Sequence, residues 1–261
     1  MTFSLRLTAD LTLAWSARAM GAKSGHPLIL NVSPDGRFYS ACASVTIRTN
    51  KKNGGRSPSQ SSTHARRFGS PLIWIGGAEP LEYLGISRVA NEFSAARRHV
   101  FLQTSGAQLK RRLHEFQPSN FFYFVIRFNG LSQDSVHQTR RESAFRSQLE
   151  ALRMARLAGF LTCAQLIIHP DNDASEVAQL HGDIQKLGVD GFLITRASLA
   201  PELEPKAAKL RRGLLSRRWA LLSRLLDIAS LPAASRISLQ APRPPLPTSE
   251  SGGFGEGAEA G

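Results

Sequence analysis

Two cysteines are all this chain has in 261 residues, Cys42 and Cys163, far apart in sequence. That scarcity excludes a disulfide framework and paired zinc-ligand spacing, and it fits a reducing, cytoplasmic setting. Acidic residues are also in short supply, 20 against 33 basic ones, for a net charge of +13. The imbalance is concentrated in residues 1–70, where ten basic side chains face only Asp10 and Asp35. A specific nucleic-acid module interleaves such charge with stacking aromatics or a recognisable fold motif. Neither is present, so a nucleic-acid partner is disfavoured. No apolar run approaches the length needed to cross a bilayer. The opening "LTADLTLAWSARAM" is interrupted by Asp10 and Arg18 and makes a poor signal sequence.

What is present is a regular alternation of short apolar runs with amphipathic helical stretches, the mark of repeated β/α units on a parallel sheet. Strands are predicted at 27–33, 72–76, 99–103, 121–128, 160–169 and 191–195, with helices at 84–97, 107–115, 142–158 and 174–187. The domain reading is an N-terminal extension over 1–26, a barrel over 27–200, a basic amphipathic C-terminal helix over 201–230 and a Pro/Gly-rich tail over 231–261. One unit is broken. Residues 46–70 fall where a helix should join the first two strands, yet they are rich in Ser, Arg, Thr and Gly with no helical period. The tail has too little apolar content to pack.

In such a fold, chemistry belongs in the loops at the carboxyl ends of the strands. The loop after the second strand reads "GGAEP". Gly76 and Gly77 let the backbone approach a polar ligand, Glu79 adds a carboxylate and Pro80 stiffens the turn. Thr104, Ser105 and Gly106 follow the third strand. Arg127 ends the fourth, within reach of a ribose or carboxylate, and His169 ends the fifth. Cys163, mid-strand, reads as core. His137 reads as a solvated loop histidine.

This ordered set of turns, together with "FVIRFNG", "ARLAGF" and "LGVDGFLIT", resembles the radical S-adenosylmethionine (radical SAM) family over about residues 27–200. The resemblance implies an α/β fold, a partial (β/α)6 TIM-like barrel whose first β/α unit is degraded here. It implies S-adenosylmethionine bound by Gly76, Gly77, Glu79, Pro80, Thr104, Ser105, Gly106, Arg127 and His169. It also implies a 4Fe–4S cluster held by three thiolates, a small-molecule or lipid-like substrate, and an electron donor such as a flavodoxin or ferredoxin. "LTADLT" and "HPLILNVSP" resemble the hopanoid-biosynthesis branch.

Laid over the family's cluster loop, the three ligand positions fall on Phe38, Cys42 and Val45, which leaves Cys42 as the one metal ligand. Two accounts stand side by side: a degenerate relative, or a frameshift over about residues 34–70, where composition shifts abruptly before the match resumes at Ser70. Two functions stand with them, a radical SAM enzyme and a non-catalytic binding or scaffold barrel. The Lys206–Ile228 stretch places Leu210, Leu214, Leu221, Leu225 and Ile228 on one face of a basic helix, which suits either a domain cap or peripheral contact with a membrane through a Leu/Trp face.

Overall fold

A computed structural model describes residues 5–19, 28–32, 69–77, 79–129, 138–198 and 200–229. Phe38, Cys42, Val45, His137 and all of the 46–70 segment except Gly69 and Ser70 lie outside the described residues. The described residues all fall within one compact unit, and residues 230–261 lie outside the description. Six strands make one parallel sheet in sequential order: β1 (Ile29–Val32), β2 (Leu72–Ile75), β3 (His99–Thr104), β4 (Phe122–Asn129), β5 (Leu161–Ile168) and β6 (Gly191–Arg196). The sheet curls into a half-barrel. Four helices cover its convex face or join its strands: α2 (Ile86–Ala95), α3 (Leu109–Arg112), α4 (Gln138–Leu157) and α5 (Ala174–Gln185).

Strand pairing fixes which side chains look inward. Tyr123, Val125 and Arg127 of β4 share a face with Phe101 and Gln103 of β3 and with Cys163 and Gln165 of β5. Their even-numbered neighbours turn to the helices. Phe122 and Phe124 pack with Phe116 and Phe160, Phe128 meets Phe145 of α4, and Phe192 lies 4.3 Å from the His181 ring of α5. The strands therefore read as almost continuous apolar runs, because both faces are covered.

The N-terminal segment, expected to be an extension, contributes a helix, α1 (Leu5–Ala19). Leu7 is fully buried, Asp10 accepts from the His99 ring at the start of β3 over 2.9 Å, and the Arg6 guanidinium lies over the Phe121 ring. This helix closes the amino-terminal end of the sheet. His99 and His181 are both buried, and burial holds both rings below their ordinary pKa.

The C-terminal stretch, predicted as one helix, is two: α6 (Leu203–Leu214) and α7 (Arg217–Ala229). Leu215 takes an extended backbone, φ −110° and ψ 149°, and stops the first helix. The physical reason is phase. The buried positions 203, 207 and 210 and the buried positions 219, 222 and 226 lie on different faces of any continuous helix, roughly a third of a turn apart. A break lets both stripes reach β6. Trp219, Leu222 and Leu226 are then all at most 2% exposed, and the single face drawn through Leu210, Leu214, Leu221 and Leu225 is divided: Leu210 is buried, Leu214 and Leu225 are half-buried and Leu221 is 58% exposed.

These helices also finish the β6 edge, which no further strand covers among the described residues. Ser223 Oγ accepts from the Ile194 amide at 3.1 Å, Asp227 Oδ1 accepts from the Arg196 amide at 3.0 Å, and Arg211 Nε donates to the Ile194 carbonyl at 2.8 Å. Asp227 Oδ2 further takes Arg196 Nε at 3.0 Å and the Arg211 guanidinium, while Glu204 pairs with Arg196 at 3.2 Å. A buried edge must satisfy its backbone groups somewhere, and side chains do it here. Among the described residues no helix is long and apolar enough to cross a membrane.

Asp227→Ala leaves the buried Arg211 and the half-buried Arg196 without their shared carboxylate and should cost about 3–5 kcal/mol in urea unfolding. Acidification should destabilise the fold as well. The unfolded chain binds protons at both histidines near pH 6.5 while the folded chain resists, so stability rises with pH across that value and falls below it. His181→Leu should flatten the fall, read as midpoint against pH.

Candidate functional site

Because all six strands run parallel, their carboxyl ends share one rim, and the turns singled out in the sequence meet there. Gly76 continues the ladder beyond β2, its amide donating to the Val32 carbonyl at 3.0 Å. A Cβ at this position would stand 2.7 Å from Trp74 Nε1 and 2.9 Å from Gln103 Oε1. Glycine is therefore favoured by the close approach of those two side chains.

Glu79 is buried and reaches across to the next turn. Its Oε1 accepts from Thr104 Oγ1 at 2.6 Å and from the Leu81 amide at 3.2 Å. Its Oε2 accepts from the Ser105 amide at 2.8 Å and from Ser105 Oγ at 2.6 Å. Thr104 Oγ1 in turn accepts from the Gly106 amide at 3.1 Å. Two turns from neighbouring strands are stapled by one carboxylate, which uses both lone pairs of both oxygens within the chain. Gly106 has φ 87°, and a Cβ there would sit 2.7 Å from the Cβ of Ala151 on α4. Pro80 opens a short 3₁₀ turn, Pro80–Glu82, for which the Glu79 side chain is the cap.

That turn is braced from outside. Arg112 of α3 donates to the Leu81 carbonyl and, at 2.9 Å, to the Tyr83 carbonyl. The same guanidinium grips Glu115 through Nε and Nη2, both at 2.7 Å, and Ser87 Oγ adds a bond of 2.8 Å. The Arg112 contact, first among these, holds the Glu115 carboxyl down at about 2.

Below the rim, the concave face carries a row of uncharged polar side chains. Gln103 Nε2 donates to Gln165 Oε1 at 2.6 Å, and Gln165 Nε2 donates to Thr195 Oγ1 at 2.8 Å. The stagger of a curled sheet brings these positions of β3, β5 and β6 level. Trp74, Phe101 and Tyr123 stack beneath them, with centroids 6.3 and 4.4 Å apart. Arg127 is half-buried on this face, in register with Gln165. His169 stands at the same end of the sheet but is fixed through its backbone, its amide donating to Asn172 Oδ1 at 2.8 Å. Lys206 of α6 reaches its carbonyl at 3.5 Å and that of Pro170 at 2.8 Å.

So Gly76, Glu79, Pro80, Thr104, Ser105 and Gly106 form one connected unit, with Arg127 and His169 on the same rim. Gly77 is exposed beside it. Cys163 is fully buried in β5, and burial pushes its thiol well up. Sequence reasoning missed Gln103, Gln165, Thr195 and the Arg112 brace. A glutamine inside an apolar strand run was the available signal for the first two.

The Radical SAM superfamily model matches residues 42–184, more than half of the chain. The chain belongs to the radical SAM superfamily. Its fold agrees with that of solved structures at low sequence identity. Against SuiB of Streptococcus suis bound to S-adenosylmethionine, the TM-score is 0.52 at 14% identity, covering 82% of this chain and 52% of that one. Against SuiB bound to precursor peptide SuiA it is 0.51 at 14% identity, covering 72% and 44%. The radical SAM chain described here thus spans about half the length of these structures, and the likeness is one of fold. No curated protein matches it.

Removing the staple should be felt before any ligand is added. Glu79→Ala strands the Ser105 amide and the Thr104 hydroxyl, a loss of about 1–3 kcal/mol for a buried unpaired group. Amide exchange at Ser105 and Gly106 should accelerate by about an order of magnitude or more while core strand amides stay protected.

Proposed function

We propose that this radical SAM-type protein binds S-adenosylmethionine at the rim formed by the Gly76–Pro80 and Thr104–Gly106 turns. The observation that carries the reading is the Glu79 staple, which fixes both turns beside the exposed Gly77 before any ligand arrives. Gly76 and Gly77 would offer backbone groups to the ligand's amino end, and Arg127 a cation to its carboxylate. His169 would close the far side. The site fits this ligand in its donor set, with backbone carbonyls and one guanidinium toward opposite charges.

The cluster is a different matter. The family implies a 4Fe–4S centre on three thiolates, and this chain has two cysteines in all. One of them, Cys163, is sealed inside β5 with its thiol pushed well up. Phe38 and Val45 have no lone pair to give. The residues present do not fit a three-thiolate cluster, so the reading is of a chain that binds the cofactor without cleaving it. This inventory favours the non-catalytic barrel over the enzyme. If the 34–70 segment reflects a frameshift, translation of the other two reading frames will return a three-cysteine loop and an amphipathic helix. The opening segments "LTADLT" and "HPLILNVSP" then support a lipid-like substrate of the hopanoid branch.

Calorimetric titration of S-adenosylmethionine into the full chain should show one-to-one binding, weakened about tenfold or more by Gly76→Val. Folded protein that gives no binding heat overturns the rim as a cofactor site. Anaerobic reconstitution with iron and sulfide should yield no stoichiometric cluster absorbance, and the double variant Phe38→Cys, Val45→Cys restores the ligand count. A full, stable cluster in the unaltered chain would refute the ligand inventory.

A further inference from the structure

Helices α6 and α7 each have a second face. On α7 the side chains of Trp219, Leu222, Ser223, Leu226 and Asp227 are buried against β6. Arg217, Leu221 and Arg224, spaced four and then three residues apart, share the opposite stripe, with Arg218 beside it. All four are exposed, and Leu221 is 58% exposed although Leu222 and Leu226 of the same helix are buried. On α6, Lys209 and Arg212 are exposed in the same way. Balancing carboxylates are absent from these stripes. Asp227 is buried between Arg196 and Arg211, Glu204 pairs with Arg196, and Glu202 stands at the other end, before α6 begins.

We propose that this outer face docks the protein on an anionic phospholipid surface, with the guanidiniums on headgroup phosphates and Leu221 inserted between the headgroups. Arginine, which supplies four of the five exposed cations, holds phosphate through paired N–H donors and sheds water more readily than lysine. An apolar side chain ringed by arginines on a helix that lies along a surface is the arrangement that partitions into a headgroup layer. A nucleic-acid partner would call for stacking side chains, and the one tryptophan of the pair, Trp219, is 1% exposed on the other side. This docking uses no part of the rim and stands whether or not the rim binds S-adenosylmethionine.

The test is co-sedimentation of the full chain with vesicles of phosphatidylcholine alone and of phosphatidylcholine mixed with phosphatidylserine. Binding should appear only with the anionic vesicles and weaken with salt. The triple variant Arg217→Glu, Arg218→Glu, Arg224→Glu should lose it by about tenfold or more. A control that reverses equal charge elsewhere, Lys51→Glu, Lys52→Glu, Arg56→Glu, should keep most of it. Leu221→Lys should bind several-fold less well despite its added charge. Equal losses in the two triple variants would reduce the effect to net charge and overturn the proposal. So would tighter binding by Leu221→Lys, absence of vesicle binding in the unaltered chain, or a short nucleic-acid duplex that displaces the vesicles.

Discussion

An unbroken parallel register is the constraint on which everything else rests. Each strand from β1 to β6 pairs with its sequence neighbour, so one parity of side chain points to the helices and the other to the concave face. The same register puts every strand's carboxyl end on one rim. Without it, "GGAEP" and "TSG" would be two unrelated turns. With it, they become neighbours that a single side chain can join.

That side chain is Glu79, and its geometry separates two roles that a sequence motif merges. A carboxylate near a cofactor's amino group suggests a ligand. Here its four acceptor sites are already taken by Thr104, Ser105 and Leu81, so it acts as a positioning residue for the turns. The Arg112 brace does similar work from the helix side, holding the carbonyls of Leu81 and Tyr83. Rigidity established before binding lowers the ordering cost of any ligand that arrives. The glycine at 76 is kept by the crowding of Trp74 and Gln103, and not only by the ligand it would face.

A half-barrel leaves an edge, and this chain treats the β6 edge with charge. Arg211 is 1% exposed and Asp227 4%, a pair whose desolvation is tolerable only because the edge amides, Arg196 and Glu204 complete the bonding. The consequence reaches the surface. Burying Trp219, Leu222 and Leu226 against this edge turns Arg217, Leu221 and Arg224 outward.

The sequence by itself determined the strands, their order and the identity of the turns. Hydrophobic periodicity, glycine and proline are local signals, and the parallel β/α pattern leaves few topologies open. Five of the six strand predictions fall within a residue of the observed ends, and the first, at 27–33, runs two residues too early. The cysteine shortage was equally legible, since a count needs no coordinates. Tertiary structure alone decided the rest. Gln103, Gln165 and Thr195 lie on three strands and meet only because the sheet curls. Glu79 finds Thr104 and Ser105 across 25 and 26 residues of chain. The 201–230 stretch looked like one helix because helix propensity is local, whereas its break answers a distant edge that demands two buried stripes out of phase. Periodicity tells which residues share a face, but which face meets the core is settled by what stands opposite, and that information is spread over the whole fold.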